Sequence, residues 1–122
     1  MALSVLLDTD IVLYFLGGRL AEPLPTGELG ISVITELELL SFSGLDAAGE
    51  RAVRSFLTEV SMFDLAAPVK DAAVEVRRRH ALRLPDAIVV GTAVAHAMRL
   101  FTNDERLVRK QIVPTTSIRL IS

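Results

Sequence analysis

The 122-residue chain has no cysteine. That excludes disulfide staples and thiolate metal sites, and it suits a reducing compartment, here the cytoplasm. Its histidines are His80 and His96, too few for a His-rich zinc centre, and both are read as structural. Tryptophan is absent and there is one tyrosine, so stacking of bases on exposed aromatic rings is poorly equipped. Phe15, Phe42 and Phe101 are read as core. Lysine occurs only at Lys70 and Lys110, and the formal net charge is −2, so there is no global basic signature. No long hydrophobic run occurs either. The longest, Ala87 to Ala95, is interrupted by Gly91 and Thr92 and falls far short of the roughly 20 residues that a membrane span needs. Met-Ala-Leu-Ser at the start carries no basic segment before Leu6, and no signal peptide is expected.

What is present is apolar residue in excess. Half of the chain is hydrophobic (51%), with a mean hydropathy of +0.46. The length fits one domain, 1–122, so apolar surface left over from its core predicts a homodimer or a partner groove. Leu3 to Leu7 is a continuous apolar run, the pattern of a strand buried on both faces. Asp10 opens an apolar helix over Ile11–Leu16, closed by Gly17-Gly18. A second strand is expected at Leu29–Ser32, helices at about Ile34–Phe42 and Ala47–Glu59, and a third strand at Ser61–Leu65. Pro68 and Pro85 mark the starts of helices reaching His80 and Met98. Strands at Leu100–Thr102 and Ser117–Ile121 complete the order. Alternating strands and helices predict an α/β fold with a parallel central sheet flanked by helices on both faces.

Ligands of open parallel sheets bind beyond the carboxyl ends of the strands, and Asp8 and Asp104 stand at such ends. Each taken singly is equally well a helix cap. On a helix starting near Ile34, Glu38 shares a face with Ile34 and Phe42, so Glu38 is expected inward and Glu36 in solvent. Asp86 lies in the first turn of a helix that is apolar almost all round, a position that the macrodipole favours for an anion. Four converging carboxylates would repel one another unless neutralised. With lysine scarce and Arg106 the one arginine immediately beside any of these acids, Mg²⁺ or Mn²⁺ is the expected counter-charge.

The same residues carry a family resemblance. Leu6-Leu7-Asp8-Thr9-Asp10-Ile11 resembles the opening of PIN domains, and Ser32-Val33-Ile34-Thr35-Glu36-Leu37-Glu38-Leu39 resembles their second motif, in a register that selects Glu38. Leu84-Pro85-Asp86-Ala87-Ile88 and Phe101-Thr102-Asn103-Asp104 resemble the third and fourth. No single motif is specific; the four in order, over Leu3 to Ile121, are. In length the chain is similar to the VapC-type toxins of VapBC toxin–antitoxin pairs. This resemblance implies a Mg²⁺-dependent (or Mn²⁺-dependent) endoribonuclease, usually dimeric and held inactive by a small antitoxin. It implies catalytic and metal-binding roles for Asp8, Glu38, Asp86 and Asp104, with Thr9 and Thr102 orienting them. Asp10 stands where the family commonly has Asn, and its role is open between an added charge near the metals and a helix cap.

Two other readings compete. The run Val5 to Val12 also resembles the opening of haloacid-dehalogenase-type phosphatases, with Asp8 as a covalent nucleophile, but neither lysine follows a suitable strand. A non-catalytic PIN-like binding module is the third. For RNA, positive charge leads into the acids from both sides: Arg77-Arg78-Arg79-His80 and Arg83 before Asp86, and Arg99, Arg106, Arg109 and Lys110 around Asp104. Arg79, Arg83 and Arg106 are the candidates for phosphate contacts, against the simpler reading of solvated helix ends.

Overall fold

A computed structural model describes residues 4–122; Leu3, expected in the first strand, lies outside them. The elements in order are β1 (Ser4–Leu7), α1 (Thr9–Leu16), β2 (Glu28–Ser32), α2 (Val33–Leu40), α3 (Ala47–Leu57) and β3 (Ser61–Phe63). They continue with α4 (Ala67–His80), α5 (Leu84–Ala95), β4 (Arg99–Phe101), α6 (Glu105–Lys110) and β5 (Thr115–Thr116). All strand pairs are parallel, in the order β3-β2-β1-β4-β5. The chain therefore builds outward from β1 to one side, then crosses to the other. The reversal falls between β1 and β4, which is where a parallel sheet opens a crevice at its carboxyl edge.

The continuous apolar run of β1 is explained by its central place. Val5, Leu6 and Leu7 are fully buried, yet they serve opposite faces, since side chains alternate along a strand. Leu6 joins Leu100 and the α4–α5–α6 layer through Val76, Val90, Ala93 and Leu107. Val5 and Leu7 join Phe101 and the α1–α3 layer through Ile11, Val12, Val53 and Phe56. Full burial of side chains of this size stabilises by about 1.5–3 kcal/mol each, and a polar residue at any of the three would forfeit it.

α5 is apolar all round because it is enclosed: residues Ala87 to Ala93 are all buried. Pro85 opens it within the first turn, as the sequence pattern requires. Its neighbour α4 approaches closely at Gly91, where a Cβ would lie 2.8 Å from the backbone nitrogen of Ala73 and 2.9 Å from its Cα. Gly30 in β2 is likewise covered, by Phe63. No helix among the described residues is long and apolar enough to cross a membrane.

Several expected boundaries move. The last strand is Thr115–Thr116, not Ser117–Ile121; the chain beyond it forms one antiparallel bridge, Leu120 to Leu20. Ile118 is held instead by the Asn103 side chain, which donates to its carbonyl at 2.8 Å and accepts from its N–H at 2.9 Å. α6 was not expected at all; its six residues are too short a window for periodicity to show. α2 ends at Leu40, leaving Phe42 58% exposed, and Phe15 is 43% exposed against Phe56. Of the three phenylalanines assigned to the core, only Phe101 is buried there. α5 stops at Ala95, where Ala97 turns left-handed (φ 52°) to send Met98 into the core.

The Gly91–Ala73 contact yields a stability prediction. Gly91→Ala raises helix propensity, but its methyl meets backbone and not a flexible side-chain end. The variant is expected to lose about 1–3 kcal/mol of stability by overpacking, measured as a lower urea midpoint. An unchanged midpoint would show that α4 and α5 have room to separate.

Candidate active site

Asp8 is the first residue past β1 and the cap of α1, extended at φ −71°, ψ 159°, with Oδ1 accepting from the Thr9 N–H at 2.8 Å. Register places it beside the end of β4: Leu7 pairs with Phe101, and the Asp8 N–H donates to the Phe101 carbonyl at 2.9 Å. Thr102, fully buried just past β4, donates from Oγ1 to Asp8 Oδ2 at 2.7 Å. The two carboxylate oxygens are thus held by the first N–H of α1 and by a hydroxyl just past β4.

Burial, followed by the nearby charge of Asp10, nonetheless pushes the Asp8 carboxyl up to about 7; Thr102 and Thr9 oppose the shift, and Asp86 adds to it. Asp10, in the first turn of α1, is also raised, by burial first and then by Asp104 and Asp86, against the hydrogen bonds from the Asn103 and Ile11 backbones. Asp10 Oδ2 accepts from the Asn103 N–H at 2.9 Å, tying α1 to the β4–α6 loop, whereas Oδ1 is buried without a partner among the described residues. The helix cap is Asp8, so Asp10 is not one; its position is that of an additional acid in the cluster.

Asp104 caps α6, its Oδ1 accepting from the Arg106 N–H at 2.9 Å. The Arg106 guanidinium lies across it, with Nε 3.3 Å from Oδ1 and Nη2 3.0 Å from Oδ2, and the same Nη2 is 3.4 Å from Asp86 Oδ2. That guanidinium holds the Asp104 carboxyl below its ordinary value. Asp86 sits in the first turn of α5 with Arg83 Nε 3.7 Å away. The structure therefore draws Asp8, Asp10, Asp86 and Asp104 into one electrostatic cluster.

Glu38 joins at the rim in a way the helical wheel did not predict. It is exposed, and Glu36 is the more covered of the two. α2 runs Val33–Leu40, and the stripe that it buries is Thr35 and Leu39, one position round from the Ile34–Glu38 line; Phe42 lies past its end. Glu38 still reaches the cluster through Thr9, whose Oγ1 donates to Oε1 at 2.6 Å and lies 3.0 Å from the buried Thr35 hydroxyl. Thr35 and Asn103 take part as well, from within the second and fourth motifs, where residue type alone does not mark them. Arg79 is not brought in: its partner is Glu75, one turn back on α4, at 3.0 Å. His80 lies in the last turn of α4, and His96 packs its ring 4.4 Å from that of Phe63.

The donor set is all oxygen, suited to a hard divalent cation. The partnerless Asp10 oxygen and the raised Asp8 carboxyl mark an excess of negative charge that such a cation would relieve. As the side chains lie, no three acids among the described residues close on a common point; Arg106 occupies the space between Asp86 and Asp104. The residues suit a hard divalent cation in donor type, and Arg106 now holds the position between Asp86 and Asp104 that such an ion would take.

The raised Asp8 carboxyl makes the metal-free protein pH-sensitive. A folded-state value of about 7 against 3.8 means that ionisation disfavours folding. The effect is absent below 3.8, grows as pH rises, and is complete above about 7. Metal-free Asp8→Asn is therefore expected to be more stable than wild type at pH 8, by at most about 4 kcal/mol at about 1.4 kcal/mol for each pH unit between the two values, with the difference vanishing near pH 4. Denaturation at both pH values checks this, and a variant less stable at pH 8 would show the carboxylate to be a structural requirement.

A family model described as "PIN domain" matches residues 5–113. No curated protein matches the chain. Among solved structures, VapBC2 from Rickettsia felis, bound to a DNA fragment from its promoter, aligns with a TM-score of 0.80 at 18% identity, over 96% of this chain and 100% of that one. A toxin–antitoxin complex from Klebsiella pneumoniae aligns at 0.76 with 26% identity, over 92% and 95%. DNA-bound VapBC from Salmonella typhimurium aligns at 0.78 with 20% identity, over 94% and 98%. The Asp8-Thr9-Asp10 run read alone suits two families, and the match over nearly the whole chain decides between them: the chain belongs to the PIN domain family.

Proposed function

We propose that the protein is a Mg²⁺- or Mn²⁺-dependent endoribonuclease that hydrolyses RNA phosphodiester bonds, and the toxin of a toxin–antitoxin pair. The observation that carries this reading is the gathering of Asp8, Asp86 and Asp104 from three separate elements into one cluster at the β1–β4 crevice. Acids needed only as caps would have no reason to meet, because their mutual repulsion costs stability. The structural likeness to chains of toxin–antitoxin complexes supports a small antitoxin as partner.

In this reading Asp8, Asp86 and Asp104 hold the ion, with Glu38 at the rim. When bound, the ion supplies positive charge against the phosphodiester oxygens and acidifies water beside them. The chain does the positioning. Thr102 and the Thr9 N–H fix the two oxygens of Asp8, and Thr9 Oγ1 fixes Glu38 Oε1, where its carboxylate can take a proton from water. Arg83 and Arg106, both exposed at the mouth, are placed for phosphate oxygens.

Cleavage of a single-stranded RNA in the presence of Mn²⁺ tests the reading. Asp86→Asn and Glu38→Gln are expected to lower the rate by about 100-fold or more, the scale on which a lost electrostatic stabiliser acts, while Glu36→Gln stays near wild type. Folded wild-type protein that binds RNA without metal-dependent cleavage would establish a binding module instead.

The apolar residues left at the surface, among them Leu37 (57% exposed), Phe42, Val74 and Leu84 (53%), support self-association as well. A homodimer is expected by light scattering at about tens of micromolar, and a folded monomer there would oppose it.

A further inference from the structure

Arg106 is the one side chain in the cluster whose position conflicts with the proposed chemistry. Its guanidinium spans Asp86 on α5 and Asp104 on α6, engaging Oδ2 of the first and both oxygens of the second. A divalent ion needs those same oxygens. Among the described residues Arg106 has no other side-chain partner, and half of its side chain (51%) is exposed, so packing does not lock it. Nor does α6 require the guanidinium: the cap is the Arg106 backbone N–H on Asp104 Oδ1. Arg83 differs, since it is 75% exposed and stands 3.7 Å from Asp86 alone.

We propose that Arg106 is an exchangeable counter-ion: it neutralises Asp86 and Asp104 in the metal-free protein, competes with the divalent ion for them, and once displaced turns its fork to a substrate phosphate. The inference rests on the metallonuclease reading. An exposed ion pair contributes little, so an ion that draws on the whole cluster displaces the guanidinium readily. The metal-free site gains a partner for two acids that would otherwise repel, and this matters because the Asp8 and Asp10 carboxyls are already disfavoured by burial. The displaced side chain stays anchored at the second residue of α6, beside the ion and not away from it. There its planar, forked donors match two oxygens of a phosphodiester. One residue thus serves two anions in turn.

A purely structural role makes the opposite prediction about metal. If Arg106 holds the acids in their binding geometry, its removal weakens the site; if it competes, removal tightens it. Calorimetric titration of Mn²⁺ into metal-free wild type, Arg106→Gln and Arg106→Lys distinguishes them. The Gln variant is expected to bind Mn²⁺ about three- to tenfold tighter, the scale of one or two exposed ion pairs. The Lys variant, which keeps the charge but not the fork, is expected between it and wild type. It also carries the comparison if Arg106→Gln does not fold. In RNA cleavage with saturating Mn²⁺, both variants should raise KM more than they lower kcat, and the Gln variant should reduce the salt dependence of 1/KM by a slope of about one, as for one lost phosphate contact. Variants that bind Mn²⁺ equally or more weakly overturn the competition, and an unchanged KM overturns the second half of the cycle. Wild-type protein that takes up no Mn²⁺ overturns the nuclease reading itself, and this inference with it.

Discussion

A carboxylate at the end of a strand covered on both faces has little water to solvate it, and Asp8 is in that position. Val5, Leu6 and Leu7 are buried in joining the two core layers, and Asp8, the next residue, emerges from them only in part. Asp8 therefore depends on what neighbouring elements provide: the first N–H of α1 and the hydroxyl of Thr102. These lower the cost of its charge without abolishing it. The placement of α1, the register of β4 and the burial of Thr102 all follow from meeting that one requirement.

The rest of the cluster adds to the strain. Asp10 is held close by the same helix, and Asp86 enters on α5 because that helix must lie against the sheet to bury its apolar surface. Asp104 enters because it caps α6 immediately after β4. Each acid has a local reason for its place, yet together they make a concentration of like charge whose repulsion the packing of the core has to outweigh. Arg106 is the internal answer to that charge. Its exposure makes it a removable one, and this is what separates a site of this kind from a buried structural ion pair, whose partners cannot part without a large cost.

The alternation of strands and helices, α6 apart, and the places of Asp8, Asp86 and Asp104 after strands or in a first turn were legible in the residues. Continuous apolar runs bounded by Gly, Pro and Asp give strands and helices their places, and β1, α4 and α5 follow that rule closely. What failed depended on neighbours. Glu38 shares a helical face with Ile34, but the stripe that packs inward is the adjacent one, Thr35 and Leu39, and Phe42 lies past the helix end; which of two neighbouring apolar stripes is covered depends on the surrounding elements. Phe15 reads as core from its side chain alone, yet the chain leaves the outer side of α1 open. Arg83 meets Asp86 because the two are three residues apart at the start of α5, whereas Arg79 pairs with Glu75 one turn back on α4. The apolar Ser117–Ile121 segment was read as a strand because hydropathy cannot register that the sheet is extended by Thr115–Thr116, with Asn103 holding Ile118 in place.

Local chemistry is thus legible from the residues: which runs are apolar enough to be buried, where prolines open helices, and which acids follow strands. These depend on contacts a few residues apart, where side-chain type and spacing leave few alternatives. Packing in three dimensions was needed for Asp8 and Thr102, 94 positions apart, to share a hydrogen bond, for one Asp10 oxygen to lie without a partner among the described residues, and for Arg106 to lie between Asp86 and Asp104. Those facts follow from the crossing of the chain from β3 to β4, which sets β4 beside β1. The physical reason is that burial and charge interaction depend on distance in space, and the packing of helices on both faces of the sheet, not separation along the chain, sets that distance.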